Sequence, residues 1–142
     1  MADNNSFTKE IEKEQRITFM VVNAYLGRID GELNEERFYD LAMTHNLSED
    51  EMAAAHYEQS EDEVFSLLFH IQNPSLALVL IRELFYFGYD DGDLSDEKIL
   101  FISKVGQALN IPIEKMEQIS EWVIKGIEWE EEGAKIFSVT ED

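Results

Sequence analysis

Tyr25-Leu26-Gly27-Arg28-Ile29-Asp30-Gly31-Glu32-Leu33-Asn34-Glu35-Glu36 returns sixty-one residues later as Tyr86-Phe87-Gly88-Tyr89-Asp90-Asp91-Gly92-Asp93-Leu94-Ser95-Asp96-Glu97, without a gap. In both copies an apolar stretch ends at a glycine, an Asp-Gly turn follows, and a polar cap with two acids opens another apolar-periodic stretch. The unit reads as helix, acidic elbow, helix, used twice. If the two units pack about a pseudo-twofold axis, their elbows converge. Their aspartates then form one place able to take a cation or a basic group.

Helix signals continue on both sides of the repeat. A first helix is predicted from about Phe7 to Glu10 through about Leu26, with Ile17, Met20, Val21, Ala24 and Arg28 on one stripe and Phe19, Val22 and Leu26 on a second. Apolar on two sides, its later half should be sandwiched, while Lys9 to Arg16 point to solvent. Asn34 caps a helix ending near His45. Ser48-Glu49-Asp50-Glu51 and Ser60-Glu61-Asp62-Glu63 both match the Ser-x-x-Glu capping box and start short helices. Asn73-Pro74 opens a central helix through Leu76 to Phe87, whose Arg82 and Glu83 and short apolar run exclude a bilayer span. Ser95 caps a helix with Ile99, Ile102, Val105 and Leu109 on one face. Pro112 opens the last, with Met116, Ile119, Val123 and Ile127 on one stripe and Trp122 and Trp129 on another. Glu130, Glu131 and Glu132 crowd its negative end, so Gly133 is expected to terminate it. No segment alternates with period two. The expected fold is all-α, a compact single-domain bundle of six to eight helices carrying the duplicated unit. Residues 1–6 are expected as a flexible N-terminus, 7–133 as the domain, and 134–142 as a tail packing loosely through Ile136, Phe137 and Val139.

The 142 residues, 44% of them hydrophobic, suffice for one continuous core. Thirty-one acids against eleven basic residues give a charge of -20. That balance opposes attraction to nucleic acid or anionic lipid and favours a cation or a basic partner surface. With no cysteine, disulfides, thiolate metal sites and thiol nucleophiles are excluded. Met1 to Ser6 lack the pattern of a secretory signal, so the expected location is cytoplasmic.

Asp30, Glu32, Asp90, Asp91 and Asp93 offer hard oxygens on tight turns, a donor set suited to calcium or magnesium. Neither elbow is an EF-hand: with Gly31 or Gly92 as sixth residue, Leu26 or Phe87 falls first and Arg37 or Lys98 twelfth. Aspartate bonding to local backbone and glycine serving the turn explain each Asp-Gly without an ion and come ahead of cation binding, and both readings stay open. His45, His56 and His70 lack zinc-site spacing and are expected at the surface or at helix ends. No nucleophile elbow or phosphate loop occurs, which points away from an enzyme. Phe85, Tyr86, Phe87, Tyr89, Trp122 and Trp129 are expected in core packing ahead of lining an interaction groove. The Trp122 face leaves a homodimer open.

The two Asp-Gly-x-Leu elbows, each between an apolar helix and an acid-started one, resemble the TerB-like family of tellurite-resistance proteins over about Ile17 to Gly133. The resemblance implies a compact all-helical domain with a duplicated helical unit, an acidic cluster for a divalent metal, and a role in tellurite and other stress responses alongside membrane-associated partners. It carries Asp30 and Asp91 over as metal positions, with Glu35, Glu36, Asp96 and Glu97 as nearby acids. One position departs. The family pattern Asp-Gly-x-apolar-x-x-x-Glu ends here in Arg37 and Lys98, and Glu36 and Glu97, one residue earlier, face about 100 degrees away. The function expected is a non-enzymatic TerB-like module binding a divalent cation or a protein partner. The alternative is an acidic regulator that mimics nucleic acid and occupies a basic protein.

Overall fold

The computed structural model describes residues 13–89 and 94–138. Among these the chain is entirely helical: α1 (Lys13–Gly27), α2 (Glu35–Thr44), α3 (Glu49–His56), α4 (Glu61–Leu67), a 3-10 turn (Leu68–His70), α5 (Pro74–Gly88), α6 (Asp96–Ala108) and α7 (Ile113–Phe137). The expected all-α bundle is what forms. No described helix is long and apolar enough to cross a membrane.

Helix α1 occupies the centre, because it is apolar on both of the stripes its sequence predicts. Phe19, Met20, Val22 and Leu26 are fully buried, and α1 touches α2, α3, α4, α5 and α6. Helix α5 lies against it and buries Leu80, Ile81 and Leu84 completely. Helix α7 packs over α5 and α6 through Met116 and Val123.

Local chemistry fixes the starts. Asn34, Ser48, Ser60, Asn73 and Ser95 each accept a hydrogen bond from a first-turn N–H. At Ser48 and Ser60 the reciprocal bonds from the cap N–H groups to Glu51 and Glu63 complete both capping boxes, at 3.0 and 2.8 Å. The ends of α2 and α6 are also alike. Asn46 and Asn110 take φ of 60° and 63°, and the following Leu47 and Ile111 N–H groups donate back to Ala42 and Gly106 carbonyls. The duplication thus extends through the second helix of each unit.

One expectation is corrected here. Gly133 does not end α7, which continues through Glu130, Glu131 and Glu132 to Phe137, so Ile136 and Phe137 are exposed helix rather than a loosely packed tail. His45 stands at the end of α2, as expected, but it is buried there. It is 7% exposed, its Nε2 lies 2.7 Å from Glu83 Oε2, and its ring meets Phe19 edge-on. Glu83 Oε1 accepts from buried Asn23 at 3.2 Å, so three helices share one internal polar link.

Candidate functional site

The helix ends that lead into the two elbows meet at their glycines, and the contact is reciprocal. A Cβ at Gly27 would lie 3.1 Å from Phe87, and one at Gly88 would lie 3.0 Å from Leu26. Leu26 and Phe87 are equivalent in the repeat, so each unit places its large apolar residue on the other's glycine. Leu33 and Leu94, also equivalent, cover Gly27 and Gly88 from their own units. The glycines permit this close approach of helix ends.

The departing positions explain themselves at the same place. Arg37 donates to the Phe87 carbonyl at 2.6 Å and the Tyr86 carbonyl at 3.2 Å, with its guanidinium 4.9 Å above the Phe87 ring. Lys98, only 8% exposed, donates from Nζ to the Gly88 carbonyl at 3.2 Å. Two side-chain cations from equivalent positions therefore serve the last carbonyls of α5, where the helix dipole is negative. A third, Arg28, donates to the His56 carbonyl at the end of α3, at 2.6 Å.

Of the proposed metal positions, Asp30, Glu32, Glu36 and Glu97 are exposed, while Asp90, Asp91 and Asp93 lie outside the described residues. Among the described residues no three His, Asp or Glu side chains stand close enough to share an ion. Glu35 turns instead to His56, 2.8 Å away on an exposed rim. Both members of that pair face solvent, unlike the contrasting environments that separate an acid from a base in catalysis.

The second feature is a groove of about 750 Å³ between α2, α5 and α7. Tyr86 and Phe87 lie on its floor, Arg37 on one wall, and Trp122, Gly126 and Trp129 on the other. Trp122 is 65% exposed and Trp129 74%. The expectation of core packing holds for Phe85 and Phe87, which are buried, and is corrected for Tyr86, 51% exposed, and for both tryptophans. Their stripe lies off the Met116-Val123 stripe by roughly a quarter turn or more at 100° per residue, so α7 cannot bury both against α5. Arg82 and Lys125 also border the groove, and among the described residues neither has an ion pair.

Sequence reasoning passed over the Asn23–Glu83–His45 link and the carbonyl-binding roles of Arg37 and Lys98. The exposed stripe of α7 was the lesser of two readings there, and it left a legible trace: Trp122 and Trp129 alternate with Gly126 and Gly133, residues that weaken a helix interior.

No family model, curated protein or solved structure matches this chain.

Proposed function

We propose that this chain is a non-enzymatic, TerB-like interaction module that takes a helix of a protein partner on the Trp122–Trp129 face of α7. The observation that supports it is the exposure of both indoles beside a groove floored by Tyr86 and Phe87. Large aromatics left in water at a concave apolar surface are the side chains that dominate binding energy when covered. A groove between helices suits an amphipathic helix, whose apolar residues recur at three- and four-residue steps. The stress-response setting comes from the family resemblance.

Trp122 and Trp129 are the chain's two tryptophans, so intrinsic fluorescence reads the face directly. A partner recovered from source-cell extract by the wild type shifts their emission to the blue, and the Trp122→Ser, Trp129→Ser variant loses that partner. Equal recovery by both proteins, each folded by circular dichroism, overturns the proposal.

A second reading, calcium or magnesium at the elbows, is favoured by the reciprocal Gly27–Phe87 and Gly88–Leu26 contacts, which bring the two units' helix ends together. Such a site needs Asp91 together with Asp30, since the described acids alone do not assemble one. After chelator treatment, millimolar calcium or magnesium then raises the Tm of the wild type but not of the Asp30→Asn, Asp91→Asn variant. Sodium chloride at matched ionic strength controls for screening of the -20 charge. An equal rise in both proteins removes the elbow site.

A further inference from the structure

The exposed face of α7 has an internal pattern that specifies its occupant. Trp122, Trp129 and Ile136 stand seven residues apart, and Gly126 and Gly133 stand seven apart, three residues ahead of Trp129 and Ile136, in a row that begins at Ile119, itself half-buried against the core. This is the spacing of a coiled-coil seam, with large residues on one row and mainly empty positions on the other. Beyond Val123 no residue of α7 is buried, and Trp129, Ile136 and Phe137 are 74%, 65% and 80% exposed. A Cβ at Gly126 or Gly133 would meet nothing within 4 Å, so no contact inside the chain requires either glycine. Both weaken α7, the longest helix among the described residues, and three glutamates at its negative end weaken it further.

The geometry points to a second copy of this chain, paired through α7 in antiparallel orientation. Reversing one helix so that Gly126 lies opposite the second copy's Trp129 also sets Gly133 opposite the second copy's Trp122, and Ile119 opposite the second copy's Ile136. One register thus fills every glycine position with an indole, and the twofold axis repeats each contact. The charges agree with the same register. Lys125 and Glu132 directly precede Gly126 and Gly133 and so share one flank of the seam. In an antiparallel twofold pair that flank faces itself, bringing Lys125 to the second copy's Glu132 twice. Neither has an ion pair among the described residues. Trp122, Trp129 and Ile136 expose on the order of 500 Å² per copy, so pairing buries about 1,000 Å² in all, the lower bound of specific interfaces. The dimer is accordingly a reversible one. This inference rests on the docking reading above and names its partner.

Sedimentation velocity across the micromolar range, at about 0.15 M salt where the overall repulsion is screened beyond about 8 Å, measures the association. The wild type passes from 16.5 kDa to twice that mass as concentration rises, and tryptophan emission shifts to the blue in step. Lys125→Glu and Glu132→Lys each weaken dimerisation about tenfold. Mixing these two single variants restores it, because the heterodimer pairs opposite charges at both positions. The double variant also restores it at the wild-type net charge, which removes net charge as the cause. Gly126→Leu raises the Tm of the monomer, since the position is open and glycine is a poor helix former, yet abolishes the dimer by filling the indole's place. A wild type that stays monomeric, a dimer indifferent to the two charge reversals, or a Gly126→Leu protein that still pairs overturns the inference. If the monomer still loses its extract partner on Trp122→Ser, Trp129→Ser, the second copy is wrong and the docking face stands.

Discussion

Replacing Arg37 by methionine removes a side-chain cation from the end of α5 while keeping most of the apolar stem. The guanidinium makes a part-buried hydrogen bond of 2.6 Å to the Phe87 carbonyl and an exposed one of 3.2 Å to the Tyr86 carbonyl. A hydrogen bond from a charged donor contributes about 1.5 kcal/mol when partly shielded, and the exposed one adds less. The guanidinium over the Phe87 ring adds roughly 0.5 kcal/mol at this degree of exposure. Together with attraction to the helix terminus the loss is about 2 kcal/mol. For a chain of this size that lowers Tm by about 6 °C and the urea midpoint by about 1 M, with m unchanged. Arg37→Lys keeps the charge but not the fork, so it recovers about half of the loss. Equilibrium urea unfolding of the three proteins is the assay. A loss below roughly 0.5 kcal/mol for Arg37→Met, typical of a surface substitution, refutes the carbonyl-binding role. So does equal stability of the lysine and methionine variants.

Adding Lys98→Met to Arg37→Met costs more than the sum of the single changes, because both cations serve one helix end; a double-mutant cycle by urea unfolding reads the excess. Ser48→Ala and Ser60→Ala each destabilise by about 1 kcal/mol and add independently, their capping boxes being on separate helices. Gly27→Ala destabilises by about 1 to 2 kcal/mol, since its Cβ would lie 2.5 Å from the buried Leu33 and 3.1 Å from Phe87, and thermal unfolding shows a larger loss than for Gly88→Ala. Burial first, and Glu61 second, raise the Tyr25 phenol above its usual 10.0, with Lys104 opposing. A folded value above the unfolded one gives stability that is complete below about pH 10 and lost as pH rises through the raised value. Alkaline denaturation of Tyr25→Phe lacks that contribution.

The fold was legible because its signals are local. Asn34, Ser48, Ser60, Asn73 and Ser95 satisfy first-turn donors within three residues of themselves, so sequence spacing alone locates five helix starts. The two apolar stripes of α1 required a sandwiched helix, and α1 is one. The error at Gly133 has a physical cause: glycine and like charges lower helix propensity, but propagation from a long established helix needs no new nucleus. The burial of His45 at its helix end was not legible, because it depends on Glu83, thirty-eight residues away.

The sequence by itself determined that two equivalent helix-elbow-helix units exist, where their helices begin, and that the chain carries a large negative charge. Periodicity, caps and composition are properties of neighbouring residues and need no partner from elsewhere. Tertiary structure alone decided what the units do to each other. It set Phe87 on Gly27 and Leu26 on Gly88, and it turned Arg37 and Lys98 toward the carbonyls ending α5. It also left one stripe of α7 in solvent, because a helix with two apolar stripes can press only one against the core. Which stripe wins depends on the shape that α5 and α6 present, and no local pattern encodes that shape.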